Sequence, residues 1–254
     1  MGSPRNLNSE VVWNGMREFT HKGYARMLEY LSMHYALIPF QDFHKTSEPK
    51  VILRHDLDAW LSSAIPMAEI EKGLGIRATY FVLLSSRFYN VLEDGSFRLL
   101  KRLVGMGHEI GLHYDAVQYA DYGRPARMML RHGIDCLESL TGKPLRTISR
   151  HNVSETDGDP FAGSTEPLNA YNDEFLRDAL YVSDSCRRWS PSRVRRLLAG
   201  EPPVVQLLIH PGLWHQSACS VDELLDARHE ELEKEHREYT GYWRSRWKVK
   251  VKSD

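Results

Sequence analysis

Cysteine is scarce in this sequence, and what there is does not cluster. The three residues, Cys136, Cys186 and Cys219, are far apart and odd in number. They form no Cys-x-x-Cys pair, which excludes a zinc knuckle and offers no disulfide framework. A reducing, cytoplasmic setting is the expectation. Neither sign of charge is in excess: Lys and Arg number 33 against 34 Asp and Glu, a formal net charge of −1. No global field therefore draws the chain to nucleic acid or to an anionic membrane. Long apolar runs are missing too; none approaches the roughly 18 residues that mark a membrane span. The opening residues, Met1-Gly2-Ser3-Pro4-Arg5-Asn6, lead into no apolar signal core. There is no internal repeat and no low-complexity tract.

What is present is an ordinary globular composition, 42% apolar over 254 residues, enough for a sizeable core. Apolar, β-rich runs at 51–53, 78–84, 109–113, 146–149, 180–183 and 204–209 read as strands. Helical patterns at 61–72, 97–106, 124–140 and 191–198 lie between them. That alternation predicts parallel pairing and an α/β fold, with barrel-like closure favoured over an open sheet. Without a break in composition, residues 1–254 read as a single catalytic domain. Within it, 1–50 is a helical lead-in with a helix at 24–35, 51–214 is the core, and 220–254 is a charged helix and tail, with Ser220 as its N-cap. Trp243 and Trp247, at i and i+4, are placed to dock that helix on the body or on a second subunit. Residues 157–172, rich in Gly, Pro, Asp, Ser and Thr, read as a long loop of the kind that forms functional lids.

The chemistry gathers at strand ends. Arg54-His55-Asp56-Leu57-Asp58 follows the first buried run and puts two carboxylates on one face of an extended chain. Carboxylates there are costly unless paired. A metal or a catalytic task would explain them; so would salt bridges to Arg54 and Arg77. His113 ends the third strand, Arg150 and His151 follow the fourth, Asp184 the fifth and His210 the sixth. In parallel α/β folds these C-terminal strand ends are where sites are built. Gly107-His108-Glu109-Ile110-Gly111-Leu112-His113 comes close to the zinc-protease pattern but is one residue too long. On a strand the odd separation sends the two histidines to opposite faces, so one lines the site and the other packs behind it. His113, nearer the strand end, is the better ligand. His55 lies on the face opposite the aspartates. Trp189 and Trp214 are either stacking faces for a sugar or core.

Taken in order, Arg-His-Asp-Leu-Asp, Leu74-Gly75-Ile76-Arg77-Ala78-Thr79-Tyr80-Phe81, Gly-His-Glu-Ile-Gly-Leu-His and Ile209-His210-Pro211 resemble the polysaccharide deacetylases of carbohydrate esterase family 4. The similarity runs from about residue 51 to 214. It is strongest to a divergent branch associated with surface-polysaccharide biosynthesis. The resemblance implies a distorted (β/α) barrel, a divalent metal, zinc foremost, and removal of acetyl groups from N-acetylated sugars. It assigns the catalytic base to Asp56, a metal role to Asp58 and the first metal histidine to His113. The family's second metal histidine falls on Val117, which binds nothing. His151 is then the replacement, completing an Asp58, His113 and His151 set with an open position, as in catalytic zinc sites; the other reading of His151 is a loop histidine facing solvent or substrate. His210 matches the general acid, with a capped strand end as its alternative. Arg150, Asp184 and Trp214 are candidates to bind substrate or orient the acid and base. The expected substrate is an intracellular nucleotide- or lipid-linked sugar. Hydrolysis of another amide, such as a formamide or cyclic ureide, and a glycan-binding pseudoenzyme are the alternatives.

Overall fold

A computed structural model of the chain describes residues 8–47, 49–121, 125–152 and 159–250. Arg124 and the loop positions Asp157 and Gly158 lie outside the described residues. The chain divides into two compact units, Met1–Gln216 and Ser217–Asp254.

The first unit opens with α1 (Ser9–Glu18) and α2 (His21–Leu31), each started by a side-chain cap: Asn8 accepts from the Val11 N–H and Thr20 from the Gly23 N–H. Strands and helices then alternate: β1 (Ala36–Ile38), β2 (Lys50–Leu57), α3 (Ala64–Gly73), β3 (Thr79–Leu83), α4 (Asp94–Gly105) and β4 (Glu109–Tyr114). They continue with α5 (Ala116–Asp121), α6 (Ala126–Thr141), β5 (Thr147–Arg150), β6 (Leu168–Asn169), α7 (Asp173–Leu176), β7 (Leu180–Ser183), α8 (Pro191–Leu198) and β8 (Val204–Ile209).

Among the described residues these strands pair with one another only in parallel, and the order across the sheet is β6-β5-β4-β3-β2-β8-β7. That is chain order running around a cylinder, with β6 and β7 as unjoined edges. The sheet is a curled, incomplete barrel flanked by helices, the distorted (β/α) barrel expected from the sequence. β1 is an addition the patterning did not predict. It pairs with Lys50–Ile52, low on the same side of β2 that β3 occupies higher up.

β2 shows why the site sits where it does. Its side chains are buried on both faces, as in sheets covered on both sides. Val51, Leu53 and Leu57 join the main core under the helices, whereas Ile52 belongs to an interior cluster with Phe40, Phe81, Ala170 and Phe175. The same alternation sends His55 outward and Arg54 and Asp56 inward. Outward, His55 Nε2 lies 2.7 Å from Glu71 Oε1 on α3, and the same carboxylate accepts hydrogen bonds from the Tyr24 and Tyr80 hydroxyls. His108 Nδ1 is 3.5 Å from the other oxygen. This wholly buried cluster ties α2, α3 and β3 to the back of the strand that carries the aspartates. His108 thus packs behind the sheet, as its odd spacing from His113 requires. Inside the barrel, Gly111 makes room for Phe81: a Cβ there would come within 2.5 Å of the ring.

The second unit is α9 (Val221–Lys250). It opens with a capping box: Ser220 Oγ accepts from the Glu223 N–H, and Glu223 Oε2 accepts from the Ser220 N–H.

Candidate active site

The C-terminal ends of β2, β4, β5, β7 and β8 surround a cavity of about 630 Å³. Asp56, Asp58, His113, Arg150, His151 and His210 all line it. Asp58 sits one residue beyond β2, and His151 one residue beyond β5, held there by its own N–H to the Tyr114 carbonyl.

Asp58, His113 and His151 converge. Asp58 Oδ1 is 3.1 Å from His113 Nε2 and 3.6 Å from His151 Nδ1, and the two nitrogens are 3.3 Å apart. Among the described residues, this is the one cluster of His, Cys, Asp or Glu whose ligand atoms gather closely enough for a metal ion. The donors fit such an ion. Ligands about 2.0 Å from a tetrahedral centre stand about 3.3 Å from each other, which is the size of this triangle. Asp58 Oδ1 is buried yet makes no hydrogen bond of acceptable geometry despite its close neighbours. His113 Nδ1 lies 3.0 Å from the Ser149 carbonyl, so with a cation bound it would donate there and offer the Nε2 lone pair to the metal. Burial would raise the Asp58 carboxyl, but the nearness of His113 and His151 overrides burial and holds it well below the usual carboxylate range. His151 is raised: burial opposes its charge, and Asp58 outweighs burial. A bound cation would displace that proton.

Asp56 stands beside this triangle, its Oδ2 3.5 Å from His113 Nε2. Arg54 grips it bidentately, Nε to Oδ1 at 2.9 Å and Nη2 to Oδ2 at 2.7 Å. The guanidinium is itself fully buried, held by Gln206 Oε1, Ser149 Oγ and the Tyr171 hydroxyl. Burial works to raise the Asp56 carboxyl; the Arg54 charge outweighs it and keeps the group ionised. Arg54 therefore makes the salt bridge that the sequence offered as one reading of these carboxylates. Arg77 is elsewhere, paired with Asp42 at 2.7 Å.

Across the cavity, His210 Nε2 lies 3.8 Å from Asp58 Oδ2. Its Nδ1 is 2.6 Å from Asp184 Oδ1. Asp184 has no exposed surface and also accepts from the His210 backbone N–H and from Trp214 Nε1 at 2.8 Å. Burial lowers the His210 pKa, but the Asp184 carboxylate more than compensates, raising it to about 9. Trp214 is fully buried, so a sugar-stacking role is excluded and the ring orients Asp184 instead. Trp189, 9% exposed, donates its N–H to the Met16 carbonyl and is likewise core. Val117 lies on α5 and is not part of the cavity lining. Sequence reasoning missed the inward-facing Gln206, Tyr171 and Tyr181. Gln206 and Tyr181 were signalled only by alternation along short strands, which does not say which residues meet, and Tyr171 lies in a turn after β6, where no period applies.

No protein-family model matches this sequence, and no curated protein matches it. Solved structures similar to it are polysaccharide deacetylases of carbohydrate esterase family 4 and related proteins. Peptidoglycan deacetylase PdaC from Bacillus subtilis is 16% identical over 76% of this chain and 98% of its own, with a TM-score of 0.43. A family 4 acetyl xylan esterase from Clostridium thermocellum, in complex with a cobalt ion, is 15% identical over 73% and 84%, TM-score 0.42. A family 4 pseudoenzyme from Bacillus anthracis is 18% identical over 74% of this chain, TM-score 0.41. This chain spans 62% of that pseudoenzyme and 64% of its mutant with restored activity.

Proposed function

We propose that this protein is a metal-dependent hydrolase that removes an N-acyl group, acetyl foremost, from an amino sugar. The observation that carries the reading is the Asp58, His113 and His151 triangle, flanked on one side by Asp56 with Arg54 and on the other by His210 with Asp184. A divalent cation, zinc foremost, held by those three ligands would polarise the amide carbonyl and acidify a water. Asp56 is the base. It stays a carboxylate at working pH, and Arg54 fixes its plane while leaving lone pairs free to take a proton from the attacking water. His210 is the acid. Asp184 keeps it protonated near neutrality, and its Nε2 edge faces the cavity, where it donates to the departing amine nitrogen. Arg150, beside His151 on the cavity wall, is a substrate-binding residue, and Asp184 and Trp214 are positioning residues. The cavity is lined by Trp60, Tyr171 and Tyr181 as well as by the polar set, which suits a sugar ring with an apolar face. A nucleotide- or lipid-linked precursor of a surface polysaccharide, handled in the cytoplasm, is the substrate we favour.

The test is metal content followed by turnover. Purified protein should hold about one equivalent of divalent ion, and His113→Ala and His151→Ala should each lose most of it. Full retention in both variants refutes the site. Asp56→Asn and His210→Ala should keep the ion and lose about 10²–10⁴-fold in kcat on an N-acetylated sugar. Formate release without acetate would keep the site and change the substrate. Tight glycan binding with no acyl release from any amide would establish a pseudoenzyme.

A further inference from the structure

Helix α9 changes character along its 30 residues. Between 221 and 238 the sequence holds eight acidic and three basic residues; between 239 and 250 it holds four basic and none acidic. The aromatic residues fall in the basic half: Tyr239, Tyr242, Trp243 and Trp247. All are exposed, at 61%, 50%, 38% and 65%. They form one continuous patch, with Trp243 within 6.2 Å, centroid to centroid, of each of the other three rings. Arg244, Arg246, Lys248 and Lys250 are interleaved with the tryptophans in sequence.

We propose that this C-terminal half of α9 is a surface anchor for bilayers rich in anionic phospholipid. Indole and phenol rings settle at the headgroup level of a membrane, and Lys and Arg are drawn to its negative face. Binding of a helix in the interface grows with the apolar area it buries and with its attraction to anionic lipid, and this segment offers both. The acidic half is repelled by the same surface, so contact is confined to the aromatic end. The chain is balanced in charge overall; the attraction is local and arises from segregation along one helix. No described helix is long and apolar enough to cross a membrane, so the segment lies on the bilayer rather than through it. A second copy of the helix is the poorer occupant. Two-helix packing needs aliphatic knobs every three or four residues, and between Leu232 and Val249 the sequence has no aliphatic residue and a glycine at 241.

The test is co-sedimentation of the full chain with vesicles of phosphatidylcholine alone and of phosphatidylcholine mixed with phosphatidylglycerol. Binding is expected only to the mixed vesicles, weakening as salt rises, with a blue shift in tryptophan fluorescence. Neutralising Arg244, Arg246, Lys248 and Lys250 to Gln should weaken binding by roughly fivefold per charge, several hundredfold in all. The double variant Trp243→Ser, Trp247→Ser should lose the shift and most of the binding. The aromatic substitutions fall at exposed positions, so circular dichroism and melting should match wild type and identify any variant that misfolds. Equal binding to neutral vesicles, no binding to either, or unchanged binding by the variants overturns the proposal. So does a concentration-dependent dimer, measured by sedimentation equilibrium without vesicles, that the tryptophan variant abolishes; that result would assign the patch to a second copy.

Discussion

Replacing Asp184 with Asn removes one charge and almost no volume, and its effect on His210 can be worked out from the pair itself. With the carboxylate present, His210 titrates at about 9. Without it, burial again opposes the charge and only the weaker pull of Asp58 and Asp56 remains, so the value should fall toward the ordinary 6.5, a change of up to about 2.5 units or 3.4 kcal/mol. For a full fall to 6.5 the protonated fraction at pH 8 drops from about 0.9 to about 0.03, so the loss of available acid reaches at most roughly thirtyfold there and about fourfold at pH 7. The alkaline limb of kcat/KM should move down accordingly. The pair also sets stability. Because the folded pKa is raised, its contribution is complete below about 6.5 and disappears as pH rises through about 9. The assay is the imidazole Cε1–Hε1 resonance of His210 followed from pH 5 to 10 in chelator-treated wild type and Asp184→Asn. A cation at Asp58 would lower both values, so the difference between the two proteins carries the test. Wild-type titration at or below 6.5, or a resonance unmoved by the substitution, would refute the reasoning.

Other perturbations reach different parts of the molecule. Arg54→Met leaves Asp56 buried beside a neutral neighbour. Its depressed pKa should rise, the acid limb of activity should move upward, and stability should fall by about 3–5 kcal/mol, whereas Arg54→Lys keeps the charge and should recover part of both; equal pH profiles for all three proteins would sink the assignment. Glu71→Leu strands His55 behind the sheet and should cost about 3–5 kcal/mol in denaturant unfolding; an unchanged midpoint would show that the cluster is not holding β2. Gly111→Ala pushes a methyl into Phe81 and should cost about 1–3 kcal/mol, read as a lower melting temperature without a change in metal content.

The strands that were legible in the sequence share a property. Residues 180–183 and 204–209 are apolar runs closed by polar residues, and both appear with the expected bounds. The first run, at 51–53, was too short, because the polar letters of Arg54, His55 and Asp56 hide a strand that continues to Leu57. Those side chains are buried through mutual pairing, which hydrophobicity does not report. Ala36–Ile38 and Leu168–Asn169 are too brief for any period to show. Helix α1 was missed although Asn8 and Glu10 mark a start, since its apolar stripe is thin. At the site, chain order placed the polar residues at strand ends correctly. It could not reveal that Arg54 would turn back on Asp56 two residues away, or that Trp214 would be spent on Asp184. Both depend on which inward-facing neighbours leave room.

The alternation along β2 also limits how this chain could have changed over time. Odd and even positions of one short strand serve separate charge systems, one at the cavity wall, the other sealed behind the sheet. Losing or gaining a single residue upstream of Arg54 within the strand would swap their parity. Arg54 and Asp56 would then face apolar helices, and His55 would enter the cavity. Drift in length is therefore confined to the connections, and the segment from Lys50 to Asp58 can be exchanged between proteins only as a block.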